Sequence, residues 1–253
     1  MIGVLDSGVG GLCALRALRR LCPEENILYL ADGAHLPYGA RKPEEIRFYT
    51  ARALSFFLAQ GVDRVLIACG TASAYALDFC RKSFPFPVFG VLTPASLATA
   101  KATRSLRIGV AATEATVKSG VYLRLLRRFA PGAEVFSLPA PRLVGLAEEG
   151  NATREEVYHA IGESLAPLRE ARIDTLLLGC THFSLFKDTF ASYFPEAHLI
   201  DAAPLAAEAL LQTFCPRKEK GILRLFTTAE ARPFSERATA LLGQRVRATR
   251  IMI

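Results

Sequence analysis

The sequence lacks several things that would settle its class quickly. No run of 18 or more apolar residues occurs, so no membrane-spanning helix is expected. The opening "MIGVLDSGVGG" has no basic segment followed by a long apolar one, so no secretory signal is expected. Six cysteines are scattered along the chain, and no two have C-x-x-C spacing. That argues against a zinc ribbon or a disulfide framework and points to free thiols in a reducing cytoplasm. Cys13, Cys22, Cys80 and Cys215 are expected to be small buried hydrophobes. The glycines of "DSGVGG" (6–11) fit no phosphate-binding pattern: Cys13 stands where a dinucleotide loop needs its third glycine, and no lysine follows the glycines. Long Ser/Gly linkers and low-complexity tracts are missing too. The excess of basic residues is modest, 31 Lys and Arg against 24 Asp and Glu, net +7, and dispersed. It reads as a solubility setting, with no nucleic-acid partner required.

What is present is an alternation of apolar runs and amphipathic segments over 253 residues. Strands are predicted at 2–5, 27–31, 64–68, 87–92, 106–111, 133–138, 175–179, 197–200 and 222–226. Most are continuously apolar, as strands covered on both faces must be. Helices are predicted between them. The segment 12–21 puts Leu12, Leu15, Leu18 and Leu21 on one side. The segment 43–61 opens with Pro43 and two acids, and Thr153 with Glu156 forms a capping box for a helix to 171. The pattern predicts α/β architecture with mainly parallel sheets. The chain also looks doubled: "RVLIACGTASA" (64–74) and "TLLLGCTHFSL" (175–185) each run an apolar strand into a small residue, a cysteine and a helix start. Two domains are expected, 1–93 plus 202–253 and 94–201.

In open α/β sheets, ligands bind beyond the carboxyl ends of the strands. The residues there are Asp6 and Ser7; Asp32, Pro37, Tyr38 and Gly39; Cys69, Gly70 and Thr71; Thr113 and Thr116; and Cys180, Thr181 and His182. The glycines at 8–11 are expected to let a small ligand approach the backbone, with the following helix start holding an anion. A helix start beside Cys69 and Cys180 is expected to lower their pKa values. A metal site of Cys69, Cys180 and His182 has no evident fourth ligand, and Cys-x-His spacing is uncommon for zinc, so no metal is expected. One thiol with a base suggests a nucleophile. Two thiols on opposite walls suggest proton removal from one face of a carbon and delivery to the other, which inverts a stereocentre.

The motifs "GVLDSGVGGL" (3–12), "LPYGARKPEEI" (36–46), "IACGTASA" (67–74), "GVLTPA" (90–95), "GVAATEATVKSGVY" (109–122), "GLAEEG" (145–150) and "LGCTHFSL" (178–185) resemble, in order, those of the cofactor-independent glutamate racemases of the aspartate/glutamate racemase superfamily. The resemblance implies two pseudo-symmetric α/β domains facing a buried cleft. It implies that Cys69 takes the α-proton from D-glutamate and Cys180 from L-glutamate. Asp6 would support Cys69, and His182 and Glu148 would serve Cys180. Ser7, Pro37, Tyr38, Gly39, Gly70, Thr71, Thr113, Thr116 and Thr181 would line the substrate pocket. It implies no pyridoxal phosphate or metal, a homodimer, and a product that feeds peptidoglycan. Three positions depart from the family pattern: Gly70 replaces an asparagine, Gly33 a serine and Ser184 a proline. These bear on substrate choice more than on reaction type. A racemase for aspartate or a related acid is the nearest alternative, and a catalytically weakened binding homologue the next. A one-thiol decarboxylase would keep only one of the two cysteines.

Overall fold

The computed structural model describes residues 1–216 and 220–253. Its first half runs β1 (Ile2–Asp6), α1 (Leu12–Leu21), β2 (Ile27–Ala31), α2 (Pro43–Ala59), β3 (Arg64–Ile67), α3 (Gly70–Ser83) and β4 (Val88–Gly90). A crossing helix α4 (Leu92–Ala102) leads into β5 (Arg107–Ala112), α5 (Glu114–Ser119), α6 (Val121–Phe129), β6 (Glu134–Pro139), α7 (Pro141–Glu149), α8 (Arg154–Glu170), β7 (Thr175–Leu178), α9 (Lys187–Tyr193) and β8 (His198–Asp201). The chain returns through α10 (Ala202–Leu211) to β9 (Leu223–Thr227), α11 (Ala231–Leu242) and β10 (Ala248–Arg250). One sheet has the order β10-β9-β2-β1-β3-β4 and the other β6-β5-β7-β8. All of the pairings are parallel.

The order β2-β1-β3-β4 in the first sheet repeats as β6-β5-β7-β8 in the second. In each sheet the strand order therefore reverses beside an equivalent strand, between β1 and β3 and between β5 and β7. Crevices at the carboxyl ends form at such reversals. The strands read as apolar throughout because both faces are covered. Along β2, Ile27, Tyr29 and Ala31 face the central core, while Leu28 and Leu30 face the layer under α2 and α3. The central core also takes residues from α1, α4, α6 and α10, and so from helices of both halves. A third cluster fills the outer face of the second sheet, with Leu143, Val157, Leu165 and Phe183 wholly or almost wholly buried. Each fully buried side chain of this size contributes about 1.5–3 kcal/mol, which holds the strand ends as rigid mounts.

Local signals mostly appear as read. The capping box is formed, with Glu156 N–H donating to Thr153 Oγ1 at 3.2 Å and Thr153 N–H to Glu156 Oε2 at 2.7 Å. Other expectations are corrected. The strand expected over 87–92 spans only Val88–Gly90, and Leu92 opens α4. The expected helix 43–61 stops at Ala59. Leu21, placed on the buried side of α1, is exposed because it lies in the last turn. Cys215 is exposed, while Cys13, Cys22 and Cys80 are buried. The arginine-rich end is a short edge strand, β10, paired with β9.

Candidate active site

Cys69 follows β3 and Cys180 follows β7, the strands flanking the two order reversals. Both thiols line one cavity of about 290 Å³, with Ser7, Pro37, Tyr38, Gly39, Gly70, Thr71, Thr113, Thr116, Thr181 and His182. Asp6 and Glu148 stand behind this wall and reach it through hydrogen bonds. The cavity is almost shut. The free space within it holds roughly one water, too little for an amino acid. Two wider hollows, of about 1190 and 1100 Å³ on the same measure, lie elsewhere and hold neither Cys69 nor Cys180.

Cys69 caps α3. Its Sγ accepts from Ala72 N–H at 3.5 Å and lies 3.9 Å from Ser7 Oγ. The helix start was expected to lower this thiol's pKa. The opposite holds: burial, and then the charge of Asp6, push it up to about 12 against the pull of the Ala72 N–H. Desolvation outweighs one amide dipole at a thiol with no facing cation.

Cys180 sits differently. The turn that follows it is a 3₁₀ helix, Thr181–Phe186, and no cap bond reaches its side chain. Its Sγ lies 3.6 Å from His182 Nδ1, and His182 Nε2 lies 2.5 Å from Glu148 Oε1. The same Glu148 oxygen accepts from Val9 N–H at 2.8 Å. Burial would push the buried imidazole's pKa down, but hydrogen bonds to Cys180 and Glu148, and their charges, raise it well above the ordinary value. Burial raises Glu148, yet His182, the Val9 N–H and Arg237 bring it below the usual carboxylate range.

Asp6 is fully buried. Its carboxylate accepts from Gly8 N–H at 2.9 Å and from Thr181 Oγ1 at 3.0 Å. It thus bonds to the turn that carries His182 and acts on Cys69 through charge. Burial is the main reason its pKa is raised. The hydroxyls of Thr71, Thr113 and Thr116 form a triangle with sides of 2.7, 3.1 and 2.8 Å, drawn from both halves. Tyr38 donates to Asp32 Oδ2 at 2.6 Å, and Asp32 also accepts from Thr228 at 2.7 Å. This ties the loop bearing Pro37, Tyr38 and Gly39 to the end of β9. Among the described residues, no group of three His, Cys, Asp or Glu side chains could hold a metal ion.

The glycine-rich loop also packs closely against the second half. A Cβ at Gly8 would overlap the Glu148 carboxylate, and one at Gly10 would meet the His182 backbone. The missing side chains make room for Glu148 and His182 of the other half. The cavity also includes Val144 and Gly179, which the sequence reading did not single out. Val144 lies four residues before Glu148 and so on the same helix face, a spacing that could have found it. Gly179 directly precedes Cys180.

Fold and cavity together give an α/β protein of two parallel sheets with a candidate site lined from both. The profile of the Asp/Glu/Hydantoin racemase family matches residues 13–210. A glutamate racemase of Aquifex aeolicus is 38% identical over 245 residues, 97% of this chain and 95% of that one. The crystal structure of a glutamate racemase isoform from Bacillus anthracis superposes with a TM-score of 0.94 at 30% identity, covering 100% of this chain and 97% of the other. That of a Francisella tularensis glutamate racemase in complex with D-glutamate gives 0.90 at 29% identity, over 99% and 97%. The chain belongs to the Asp/Glu/Hydantoin racemase family and is an amino-acid racemase.

Proposed function

We propose that this chain interconverts L- and D-glutamate by proton transfer between two cysteines. The observation that carries the reading is that Cys69 and Cys180, from equivalent positions in two sheets, line one cavity. In the L-to-D direction the Cys180 thiolate takes the α-proton, and the Cys69 thiol gives its proton to the opposite face of the carbanion. In the reverse direction the roles exchange. After each turnover one thiol has gained a proton and the other has lost one, so both must re-equilibrate with solvent before the next.

The electrostatics support Cys69 as a thiol that holds a proton to give. Cys69, pushed up to about 12, keeps its proton at neutral pH. Cys180 faces an imidazole whose pKa is raised well above the ordinary value, a group placed to exchange a proton with it. The hydroxyl triangle of Thr71, Thr113 and Thr116, with Ser7 and Thr181, offers donors to substrate carboxylates, while Asp6 supplies a buried negative charge near the thiols. Pro37, Tyr38, Gly39 and Gly70 shape the rest of the pocket. Closing the cleft excludes water that would otherwise quench the carbanion without stereocontrol.

The proposal includes domains at 1–93 plus 202–253 and at 94–201, consistent with the sheet membership of their strands. It also includes a cytoplasmic homodimer supplying D-glutamate to peptidoglycan, on the strength of the resemblance. Gly70 leaves the substrate's length open to test. The purified protein is incubated with each enantiomer of glutamate and of aspartate, and optical activity is followed by circular dichroism. Loss of signal with both glutamate enantiomers is expected. Turnover of aspartate alone moves the assignment to that acid, and silence on all four leaves a binding homologue.

A further inference from the structure

The last turn of α7 carries Glu148 and is built against its own dipole. It ends in Glu148 and Glu149 with no basic residue, although a helix carboxyl end favours cations. Its terminal carbonyls have no intrahelical donors. A residue from the other lobe supplies both needs. Arg237 of α11 donates from Nη2 to Ala147 O at 2.7 Å and from Nη1 to Gly150 O at 3.2 Å. Gly150 takes φ 73° at the helix cap, and any side chain there would overlap the guanidinium. The same helix reaches the opposite partner of Glu148. Phe234, one turn before Arg237, stacks on Tyr29 at 6.1 Å, and Tyr29 OH donates to Gly8 O at 2.7 Å, beside the Val9 N–H that holds Glu148.

We infer that Arg237 is a positioning residue for Glu148, a latch between the lobes that sets the Glu148–His182 pair correctly only when the cleft is shut. The inference rests on the racemase reading given above. Parting the lobes breaks the Arg237 bonds and the Val9–Glu148 bond together, so Cys180 loses its proton relay whenever solvent has access. The charged or titratable groups facing Glu148 are His182, Asp6, Tyr29 and Arg237, with Glu149 beside it on α7. Arg237 is the one permanent cation among them.

The test compares Arg237→Ala and Arg237→Lys with the parent protein by two readouts. In steady-state kinetics, Arg237→Ala is expected to lower kcat/KM by roughly ten- to a hundred-fold, the size of effect that misplacing a catalytic group produces. Both directions fall equally, because enantiomers have equal free energy. The acid limb of its pH profile moves to higher pH as Glu148 loses its cation. In the second readout, alkylation of Cys69 and Cys180 by iodoacetamide, mapped by peptide mass, speeds up because the cleft opens more often. Both thiols are buried at rest. Arg237→Lys keeps the charge without the two-pronged grip, so its acid limb stays at the parent position while alkylation still quickens. It carries the test if the alanine variant does not fold. Parent-like acid limb and alkylation rates in Arg237→Ala, or parent-like alkylation in Arg237→Lys if that variant alone folds, overturn the latch. If the parent protein racemises no glutamate, the functional reading fails while the alkylation rates still decide the latch.

Discussion

The two thiols occupy matching places in the topology and have unlike neighbours. Cys69 meets an amide dipole, a serine hydroxyl and the charge of Asp6. Cys180 meets an imidazole backed by a carboxylate that the opposite lobe holds. Equivalent backbone positions give the symmetry that the proposed attack on two faces of one carbon would require. The unlike neighbours give each sulfur its own surroundings: burial and Asp6 push Cys69 up to about 12, and a paired imidazole faces Cys180. A doubled fold therefore does not imply two identical bases. It supplies two mounts, and the side chains reaching each one differ.

The most damaging substitutions in this comparison are at the sulfurs. Cys69→Ser and Cys180→Ser are each expected to lower racemisation by roughly 10²–10⁴-fold, the range a positioned acid or base supplies. Initial rates with each enantiomer check this, and a serine variant with full activity removes that thiol from the chemistry. Glu148→Gln sharpens the asymmetry, with an expected loss of roughly ten- to a hundred-fold. Glu148 raises the pKa of His182 by its charge and hydrogen bond. Without that support, burial lowers it, the imidazolium is lost at lower pH, and the alkaline limb for L-glutamate moves acidward. An unmoved alkaline limb separates the relay from the rate.

Gly70→Ala probes the gap between the lobes. Its Cβ would stand 2.5 Å from Gly179 O, next to Cys180. Overpacking of this kind costs about 1–3 kcal/mol, and here it falls on the closed state, so KM rises while thermal stability changes little. An unchanged KM shows that the lobes need not close this far. The smallest effect is expected at Tyr38→Phe. It removes one bond to Asp32, which keeps Thr228 and His35 as partners, so the net loss is about 0.5–1 kcal/mol. KM for both enantiomers should rise slightly and together.

The strand ends were legible because buried parallel strands write themselves as apolar runs, and whatever polar residue follows stands at the crevice. Hence twelve of the residues read from those ends and from the motifs line one cavity. The connections between lobes were not legible. Val9 and Glu148 are 139 residues apart, and Arg237 bonds to Ala147 across 90. No periodicity records such pairs. The thiol pKa was misjudged for a related reason: a helix start is visible in sequence, and the burial that outweighs it is a property of the closed tertiary structure. The edge strand β10 was missed because Ala248–Arg250 is short and polar, with two of its three residues exposed.

The central claim is tested most directly by the hydrogen carried at the α-carbon after brief reaction in D₂O. L-glutamate bearing protium is converted to a small extent, and product and unreacted substrate are analysed separately by mass. Two sulfurs on opposite faces predict solvent deuterium in the D-glutamate formed and protium retained in the L-glutamate recovered. Product that keeps the substrate's own protium, or deuterium appearing equally in both pools, contradicts it.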